Sequence, residues 1–325
     1  MNVSFVGHFD QREDGWKTDE VRVATALERA GANVERIGAL DADLEERLRN
    51  DAGDWVLFSK IRRQDPGMVM RLRRLQPRAG FAQILFDLMD FKDRIFRGIP
   101  WLRRNRTSWW LPVAKQMDVV FLREKNYLER YGRAGVRGYY LDQASDADES
   151  PASESSPHMS CDVAFFGTYF PNRARTLKRL GRGRRLRIYS DRPWSWLRGG
   201  LLAERSAYGS RLAQAAAGAK VVYGASARSD IPGYWSDRVY RVLGHRGFFL
   251  TRYAPGLEDF FTNHEHLVWG HTDDEIDALA ARYLADEPGR RRIAAAGFAH
   301  VRAHHTYDHR ARELLDVLER TRAKA

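Results

Sequence analysis

Short runs of β-branched and aromatic residues alternate with amphipathic stretches along most of this 325-residue chain, and this alternation constrains the fold most strongly. In the first half, runs such as Asn2–Val6, Trp55–Ser59 and Val119–Leu122 predict strands, and the segments between such runs carry apolar residues at helical spacing. Strand–helix alternation is typical of parallel α/β sheets. It resumes at Cys161–Phe166, runs to a predicted strand at Phe248–Leu250, and gives way to three predicted helices.

A polar stretch divides this pattern into two halves. Residues 144–160 contain few apolar side chains and are rich in Ser, Asp and Glu, a composition typical of a solvated linker. We therefore predict an N-terminal, acceptor-binding Rossmann-like domain over residues 1–143. A donor-binding domain is predicted over residues 161–325, with its C-terminal helices packing back toward the first domain. Two domains are expected because a single hydrophobic core stops growing at ~250–300 residues.

Cysteine, histidine and apolar content exclude several classes of protein. The single cysteine, Cys161, excludes an intrachain disulfide and predicts a small buried apolar residue. The ten histidines show no spacing typical of a metal site, so neither a metal nor another cofactor is expected. No apolar stretch approaches the ~20 residues needed to cross a bilayer, and the N-terminus lacks the features of a secretory signal. We therefore expect a cytoplasmic protein.

The net charge of +11 is concentrated in parts of the chain. Residues 1–59 carry 7 Lys/Arg against 13 Asp/Glu, whereas residues 60–106 carry 13 against 4. Residues 151–325 carry 28 against 19. Such basic zones attract phosphates, whether on a nucleotide, a lipid or a nucleic acid.

The first basic zone mixes arginines with tryptophans, and three interpretations stay open for it. It is an acceptor-binding loop, a peripheral contact with an anionic membrane, or a nucleic-acid contact in which bases stack on aromatic rings. The candidate acceptor-binding residues are Lys60, Arg94, Trp101, Arg104 and Trp109.

Several blocks of the second half resemble a known family. Ser236–Phe261 reads SDRVYRVLGHRGFFLTRYAPGLEDFF, and Pro288–Leu315 contains the His-Thr-Tyr block that precedes the last helix. With the upstream segment Phe165-Phe166-Gly167-Thr168, these blocks resemble the C-terminal lobe of CgeB-like (spore-protein-type) glycosyltransferases. The resemblance implies a GT-B fold, in which two Rossmann-like, doubly wound domains face each other across a cleft. It also implies a nucleotide-sugar donor, such as a UDP-sugar, as co-substrate and no metal.

The sequence departs from the family pattern at one position. Arg241 stands where these enzymes usually carry a glutamate, which in related retaining enzymes holds the ribose of the donor. The place eight residues earlier is Gly233, which is not acidic either. The departure leaves three interpretations: a different hold on the ribose, an unusual donor, or the loss of donor binding.

Candidate donor-binding residues follow predicted strands or begin the next helix. Backbone N–H groups at a helix N-terminus and arginine side chains both bind phosphate oxygens. Glycines let the backbone approach a ligand closely. A tryptophan after the second strand of this half is a candidate for stacking on the nucleotide base. The candidate donor-binding residues are Gly167, Thr168, Arg173, Trp194, Arg238, Arg241, Gly256, Leu257 and Glu258.

Candidate catalytic residues follow strands of the first half. An inverting transferase needs a general base for the acceptor hydroxyl, and imidazole and carboxylate groups can serve. His8 and Asp10 follow the first strand, and Asp87 and Asp90 follow a later one. The predicted function is transfer of a hexose-type sugar from a nucleoside-diphosphate sugar to a hydroxyl. The alternatives are glycosylation of a modified base in duplex DNA, and non-catalytic binding of a nucleotide-sugar or another polyanion.

Overall fold

The computed structural model describes residues 1–59, 66–86, 110–123, 125–152, 156–192, 194 and 201–323. The chain divides into two compact units. Unit 1 consists of Met1–Gln11, Lys17–Gln143 and Tyr307–Ala325, and unit 2 consists of Arg12–Trp16 and Ala144–Thr306. The last helix therefore belongs to unit 1, whereas the sequence pattern placed it in the second domain.

Unit 1 is built on six parallel strands in the order β2-β1-β3-β4-β5-β6. Its strands are β1 (Asn2–Gly7), β2 (Asn33–Gly38), β3 (Trp55–Phe58), β4 (Gly80–Leu85), β5 (Val119–Leu122) and β6 (Gly138–Tyr140). The helices described before residue 143 are α1 (Asp19–Arg29), α2 (Leu44–Asn50), α3 (Pro66–Leu75), α4 (Leu111–Ala114) and α5 (Leu128–Arg133). The strand order reverses between β1 and β3, where a parallel sheet leaves a crevice at its carboxyl edge.

Helix α1 shows how local sequence positions an element of this sheet. The Thr18 hydroxyl accepts a hydrogen bond from the Val21 N–H at 3.4 Å and caps the helix, whose first turn carries Asp19 and Glu20. Such a cap satisfies an N–H group that the helix itself cannot, and acidic residues favour the positive end of the helix dipole. The apolar face of the helix is buried. The helix therefore places two carboxylates beside the carboxyl end of β1.

Unit 2 has its own six parallel strands in the order β12-β11-β10-β7-β8-β9. Its strands are β7 (Cys161–Phe166), β8 (Leu186–Ser190), β9 (Glu204–Arg205), β10 (Ala219–Gly224), β11 (Phe249–Arg252) and β12 (Val268–Gly270). The helices that follow are α6 (Pro171–Leu180), α7 (Gly209–Gly218), α8 (Arg238–Gly244), α9 (Asp273–Ala285), α10 (Glu287–His304) and, in unit 1, α11 (Tyr307–Arg322). Here the strand order reverses between β7 and β10, the two central strands.

The stretch predicted as a solvated linker is partly packed into unit 2. Ser145 is 2% exposed, and its N–H donates to the carbonyl of His305 at 2.9 Å. The buried ring of His245 lies 3.0 Å from a carboxylate oxygen of Glu149. Polar composition alone does not reveal such pairings, because the partners are about a hundred residues or more away in sequence. Cys161 is buried as predicted, and its burial raises the pKa of the thiol to about 11.

Candidate functional site

The candidate donor site lies at the carboxyl edge of the unit 2 sheet, at the reversal between β7 and β10. Gly167 follows β7 and Ala225 follows β10, and these two strands are hydrogen-bonded neighbours. Ligands of doubly wound sheets bind at this kind of position. Helices α6 and α8 each supply one arginine to it, Arg173 and Arg238.

The carbonyl oxygen of Ala225 holds both of these arginines. It accepts a hydrogen bond from Nε of Arg173 at 2.9 Å and from Nη2 of Arg238 at 2.8 Å. Arg173 also donates from Nη1 to the carbonyl of Thr168 at 3.0 Å. Both guanidinium groups lie over the ring of Phe165, at 5.8 and 5.5 Å from its centroid. Backbone oxygen and aromatic face therefore fix two cations side by side.

Among the residues that the structure describes, these two cations are short of compensating negative charge. Arg173 is 4% exposed, and burial followed by the charge of Arg238 lowers the pKa of Arg173 to about 8. Burial also lowers the pKa of Arg238, although Asp237 opposes the shift. Asp237 in turn lies 3.5 Å from Nη1 of Arg241, so that one carboxylate serves three arginines. Buried charge that lacks a partner is costly, and an anionic ligand would remove that cost.

Two N–H groups of the arginines on α8 are also left unused. The Nε atoms of Arg238 and Arg241 are buried and have no hydrogen-bond partner within the part of the chain that the structure describes. A buried donor without an acceptor costs roughly 1–3 kcal/mol. Phosphate oxygens accept readily from guanidinium groups, often two at a time. The unused donors therefore point to the same kind of ligand as the unbalanced charge.

Gly167 makes room for this arrangement. A Cβ atom at position 167 would lie 2.5 Å from Nη1 of Arg238, and the residue has φ +142°, which side chains rarely adopt. The Gly167 N–H donates to the carbonyl of Tyr189 at 2.8 Å, which ties the loop to β8. A glycine is required here because the guanidinium occupies the place of a side chain.

Arg241 stands next to the arginine pair and contacts an aromatic residue. Its guanidinium carbon lies 5.2 Å from the ring centroid of Tyr208. The Tyr208 hydroxyl bonds to Asp191, and burial raises the pKa of that hydroxyl to about 12. Tyr208 thus joins the loop after β8 to the face of α8 that carries the arginines.

The turn after β11 packs against the loop that leads into α8. The Gly233 N–H donates to the carbonyl of Pro255 at 2.8 Å, and Gly256 has φ +92°. Glu258 accepts from the Tyr253 hydroxyl at 2.9 Å and from the Gly256 N–H at 3.1 Å. Its pKa is lowered, chiefly by its own backbone N–H. The structure therefore connects this turn to the segment that precedes Arg238, and Glu258 closes the turn.

Two of the candidate donor-binding residues are core residues. Trp194 is 2% exposed, with its ring edge-on to Phe165 and Tyr169 at 5.7 and 5.3 Å, so it offers no open face to a base. Its Nε1 donates to the carbonyl of Gly167 at 3.3 Å, which supports the loop. Leu257 is 1% exposed and packs in the hydrophobic core. Packing takes both side chains, which argues against the stacking role of Trp194 and a side-chain donor contact of Leu257, and both roles stay predictions.

The carboxyl edge of the unit 1 sheet carries acidic groups instead. His8 follows β1 and is half-buried, and Asp10 is exposed. Beside them Glu20, which sequence reasoning missed, has its pKa raised by burial, against opposing effects that include a hydrogen bond with Ser59 and the charge of His8. A cavity of about 200 Å³ lies here, lined by Phe5, Asp19, Glu20, Val23, Ser59, Ile84, Phe86 and Gln143.

Seven predicted residues lie outside the described part of the chain, and their roles stay predictions. They are Lys60, Asp87, Asp90, Arg94, Trp101, Arg104 and Trp109. Among the described residues, no group of three or more His, Cys, Asp or Glu side chains is placed to hold a metal ion. None of the helices in the described ranges is both long and apolar enough to cross a membrane.

Several site groups gave little or no signal in the sequence. The Ala225 carbonyl is a backbone atom, and no side-chain pattern reveals it. Glu20 looked like an ordinary acidic residue in the first turn of a helix. Asp237 and Tyr208 directly precede the observed helices α8 and α7, and the sequence does not reveal their contacts there.

Comparisons with known proteins give a family match for part of the chain and identify its fold. Residues 173–316, which include the three arginines, match the family model described as glycosyl transferase-like. The two parallel six-stranded sheets with flanking helices have the GT-B fold of glycosyltransferases. The sequence prediction of a glycosyltransferase enzyme is thus confirmed at the level of this domain and fold. The CgeB-like subfamily is not confirmed by these matches, and comparison with curated proteins gave no significant match.

Among solved structures, the chain is similar to a sucrose-phosphate synthase from Thermosynechococcus elongatus, with a TM-score of 0.70 and 12% identity over 100% of both chains. It is also similar to the HepE protein of Anabaena in complex with UDP-glucose, with a TM-score of 0.67 and 10% identity over 98% of this chain and 99% of the other. An α-glucosyltransferase in complex with UDP gives a TM-score of 0.68 and 9% identity, over 98% of this chain and 100% of the other.

Proposed function

We propose that the protein transfers a sugar from a nucleoside-diphosphate sugar, in the first instance a UDP-sugar, to an acceptor hydroxyl. In this reaction the bond between the sugar C1 and the diphosphate oxygen breaks, and its electron pair stays on the diphosphate. The acceptor oxygen bonds to C1 and its proton leaves. The observation that carries the proposal is the buried pair Arg173 and Arg238, which meets at one carbonyl oxygen and forms no ion pair with a carboxylate of the described residues.

The arginines would bind the diphosphate and stabilise the charge that develops on it as it leaves. Fixed cations in a dry site do this without reorganising, which is the role that Mg²⁺ has in other enzymes. We therefore propose that the reaction needs no metal ion. UDP complexes of proteins with similar folds support the choice of donor, since HepE is known in complex with UDP-glucose. The Pro-Gly-Leu-Glu turn and the His-Thr-Tyr block support the CgeB-like branch within these enzymes.

The departure at Arg241 fits this proposal better than a loss of donor binding. The missing glutamate would have held the ribose. Asp237 lies on the segment that follows Gly233, and Glu258 lies on the turn that follows Pro255. The hydrogen bond between Gly233 and Pro255 joins these two segments, so two carboxylates lie on them. Arg241 adds a third cation with an unused N–H. We propose that Arg241 binds the diphosphate and that the ribose is held by other groups.

Unit 1 would bind the acceptor. The cavity beside β1 and β3 combines Glu20, Ser59 and Gln143 with apolar walls, a combination that suits a hydroxylated ligand. Among the described residues, Glu20 and His8 are candidates for taking the proton of the hydroxyl, and Asp10 is more exposed. Neither DNA glycosylation nor non-catalytic binding is favoured by the comparisons.

A panel of nucleotide sugars in a thermal-shift assay, followed by detection of donor hydrolysis and transfer, tests the proposal. We expect UDP and one UDP-sugar to raise the melting temperature and that sugar to be released slowly. Arg173→Ala should abolish the shift. Arg175→Ala is the matched control, because this arginine lies on the same helix with a 73% exposed side chain paired to Asp273. If no nucleotide sugar of the panel raises the melting temperature, the proposal is contradicted. If EDTA abolishes turnover and Mg²⁺ restores it, the metal-free form of the proposal is contradicted.

A further inference from the structure

A second cavity lies at the amino edge of the unit 1 sheet, the edge opposite to its candidate acceptor pocket. It has a volume of about 510 Å³ and is formed by the starts of β3 to β6, the loop before β4 and the last turns of α11. Ligand sites of drug-like molecules typically measure ~300–1,000 Å³. Its lining residues are Trp55, Arg73, Pro77, Arg78, Ala79, Gly80, Asp118, Val119, Arg137, Gly138, Tyr139, Val317, Arg320, Thr321 and Arg322.

Among the described residues, five arginines line this cavity together with a single carboxylate, Asp118. Three of the arginines are paired: Arg73 with Asp118, Arg320 with Asp316 and Arg322 with Asp54, each at 2.6 Å. Arg73 also donates from Nε to the carbonyl of Gln116 at 2.8 Å. These three side chains are held in place by contacts within unit 1.

The other two arginines, Arg78 and Arg137, have no ion pair within the described ranges of the chain. They come from separate elements, the loop after α3 and the residue before β6, yet they line the same cavity. Surface arginines without a partner are common, but two that face one concavity repel each other unless an anion lies between them. Because the other three arginines are already paired with carboxylates, Arg78 and Arg137 are the cations of the cavity that are available to a ligand.

We propose that this cavity binds a phosphate group on a small organic ligand, at a site separate from the donor site of unit 2. Arg78 and Arg137 would bind the phosphate oxygens, because a guanidinium matches phosphate in a bidentate geometry. Trp55, Pro77, Tyr139 and Val317 provide walls for the attached organic group. The ligand is either a soluble phosphate ester or the head group of an anionic lipid, since both present the same chemistry.

Arginine footprinting with phenylglyoxal tests the site residue by residue, with inorganic pyrophosphate as the probe. We expect pyrophosphate to slow the modification of Arg78 and Arg137 by about tenfold. Arg74 and Arg182 are also exposed but do not line the cavity, and their modification should not change. Because Arg238 is read separately, a failure of the donor site leaves this result interpretable. Equal protection of Arg74 and Arg182, or none of Arg78 and Arg137, would overturn the proposal.

A pair of double variants then separates the two sources of phosphate. Arg78→Ala/Arg137→Ala and the control Arg74→Ala/Arg182→Ala lose the same charge from exposed positions. Cosedimentation with phosphatidylglycerol vesicles, against phosphatidylcholine vesicles, measures lipid binding, and calorimetry with pyrophosphate measures soluble binding. We expect Arg78→Ala/Arg137→Ala to weaken either the lipid binding or the pyrophosphate binding by about tenfold. The control variant should bind as the wild type does. Equal behaviour of the two variants in both assays would overturn the proposal.

Discussion

The carboxyl edges of the two sheets differ in charge although both sheets are parallel and six-stranded. In unit 2 the reversal of strand order holds Arg173 and Arg238, with Arg241 next to them. In unit 1 the corresponding edge holds Glu20, with Asp19 and His8 nearby. The same architecture thus carries a cationic site in one unit and an acidic site in the other.

This difference teaches how one kind of sheet serves two tasks. A diphosphate needs cations, whereas a hydroxyl that must lose its proton needs a base in a partly desolvated place. Strand order decides where each site lies, and the helices that follow the strands decide its charge. The arginines come from α6 and α8, and the carboxylates come from the first turn of α1.

The largest effect is expected at Gly167. Gly167→Ala would place a methyl group 2.5 Å from Nη1 of Arg238 in a strained backbone, so the guanidinium must move. We expect kcat/KM for a UDP-sugar to fall about 100-fold with an unchanged circular dichroism spectrum. The matched control is Gly183→Ala, since Gly183 also has positive φ but no atom within 4 Å of the added Cβ. Comparable losses in both variants would show that backbone strain, rather than the arginine, is responsible.

The unbalanced charge of unit 2 predicts a gain of stability when it is removed. Arg238→Met should raise the free energy of unfolding of the ligand-free protein by about 1–4 kcal/mol, because an apolar side chain of similar length replaces a buried cation. Urea unfolding followed by tryptophan fluorescence measures it. The same variant should lose most of the stabilisation that UDP gives to the wild type. A ligand-free variant that is less stable than the wild type would mean that Arg238 is an ordinary structural arginine.

In unit 1 the sign of the effect depends on pH. Burial raises the pKa of Glu20 above its ordinary value of 4.5, so the folded protein binds the proton more tightly than the unfolded chain. The stability present below pH 4.5 is therefore lost as pH rises through the folded pKa. The variant Glu20→Gln does not lose stability in this way. Its free energy of unfolding relative to that of the wild type should therefore increase above pH 4.5, by about 1.4 kcal/mol for each unit of pKa shift.

A second carboxylate of unit 1 gives the opposite sign and serves as the control. A hydrogen bond from Arg71 lowers the pKa of Glu45, whose side chain is 32% exposed. Its contribution is present above pH 4.5 and is lost as pH falls, so Glu45→Gln should lose stability at neutral pH relative to acid. Parallel pH profiles for the two variants would rule out a special environment for Glu20.

The smallest effect is expected at Trp194. Trp194→Phe keeps an aromatic ring in the core but loses the hydrogen bond to the Gly167 carbonyl. Because the ring does not stack on a base, we expect the affinity for uridine to change by less than about threefold. A calorimetric titration measures it. If the affinity for uridine falls tenfold or more, Trp194 stacks on the base and is a site residue of unit 2 rather than a core residue.

Most of the fold was predictable from the sequence, because strands and helices in both halves differ in hydrophobic period. Val119–Leu122 and Cys161–Phe166 were predicted with their observed bounds. The strands at Glu204–Arg205 and Val268–Gly270 were missed, since two or three residues are too few to establish an alternation.

The site was predictable only where a residue type and a position coincide. Arg173, Arg238 and Gly167 follow strands and have side chains, or the lack of one, that suit a phosphate. The hydrogen-bond acceptor of both arginines is the backbone carbonyl of Ala225, and the residue type at a position does not predict such a role. For Trp194 the sequence left both core packing and stacking on a base open, because sequence position does not reveal whether a ring faces the core or the ligand.

The central claim is that Arg173 and Arg238 bind the diphosphate of a nucleotide donor. Calorimetric titration of UDP and uridine into the wild type and Arg238→Met tests it directly. We predict that UDP binding weakens about 100-fold in the variant while uridine binding changes less than about threefold. Equal weakening of both ligands, or UDP affinity that does not change, would contradict the account.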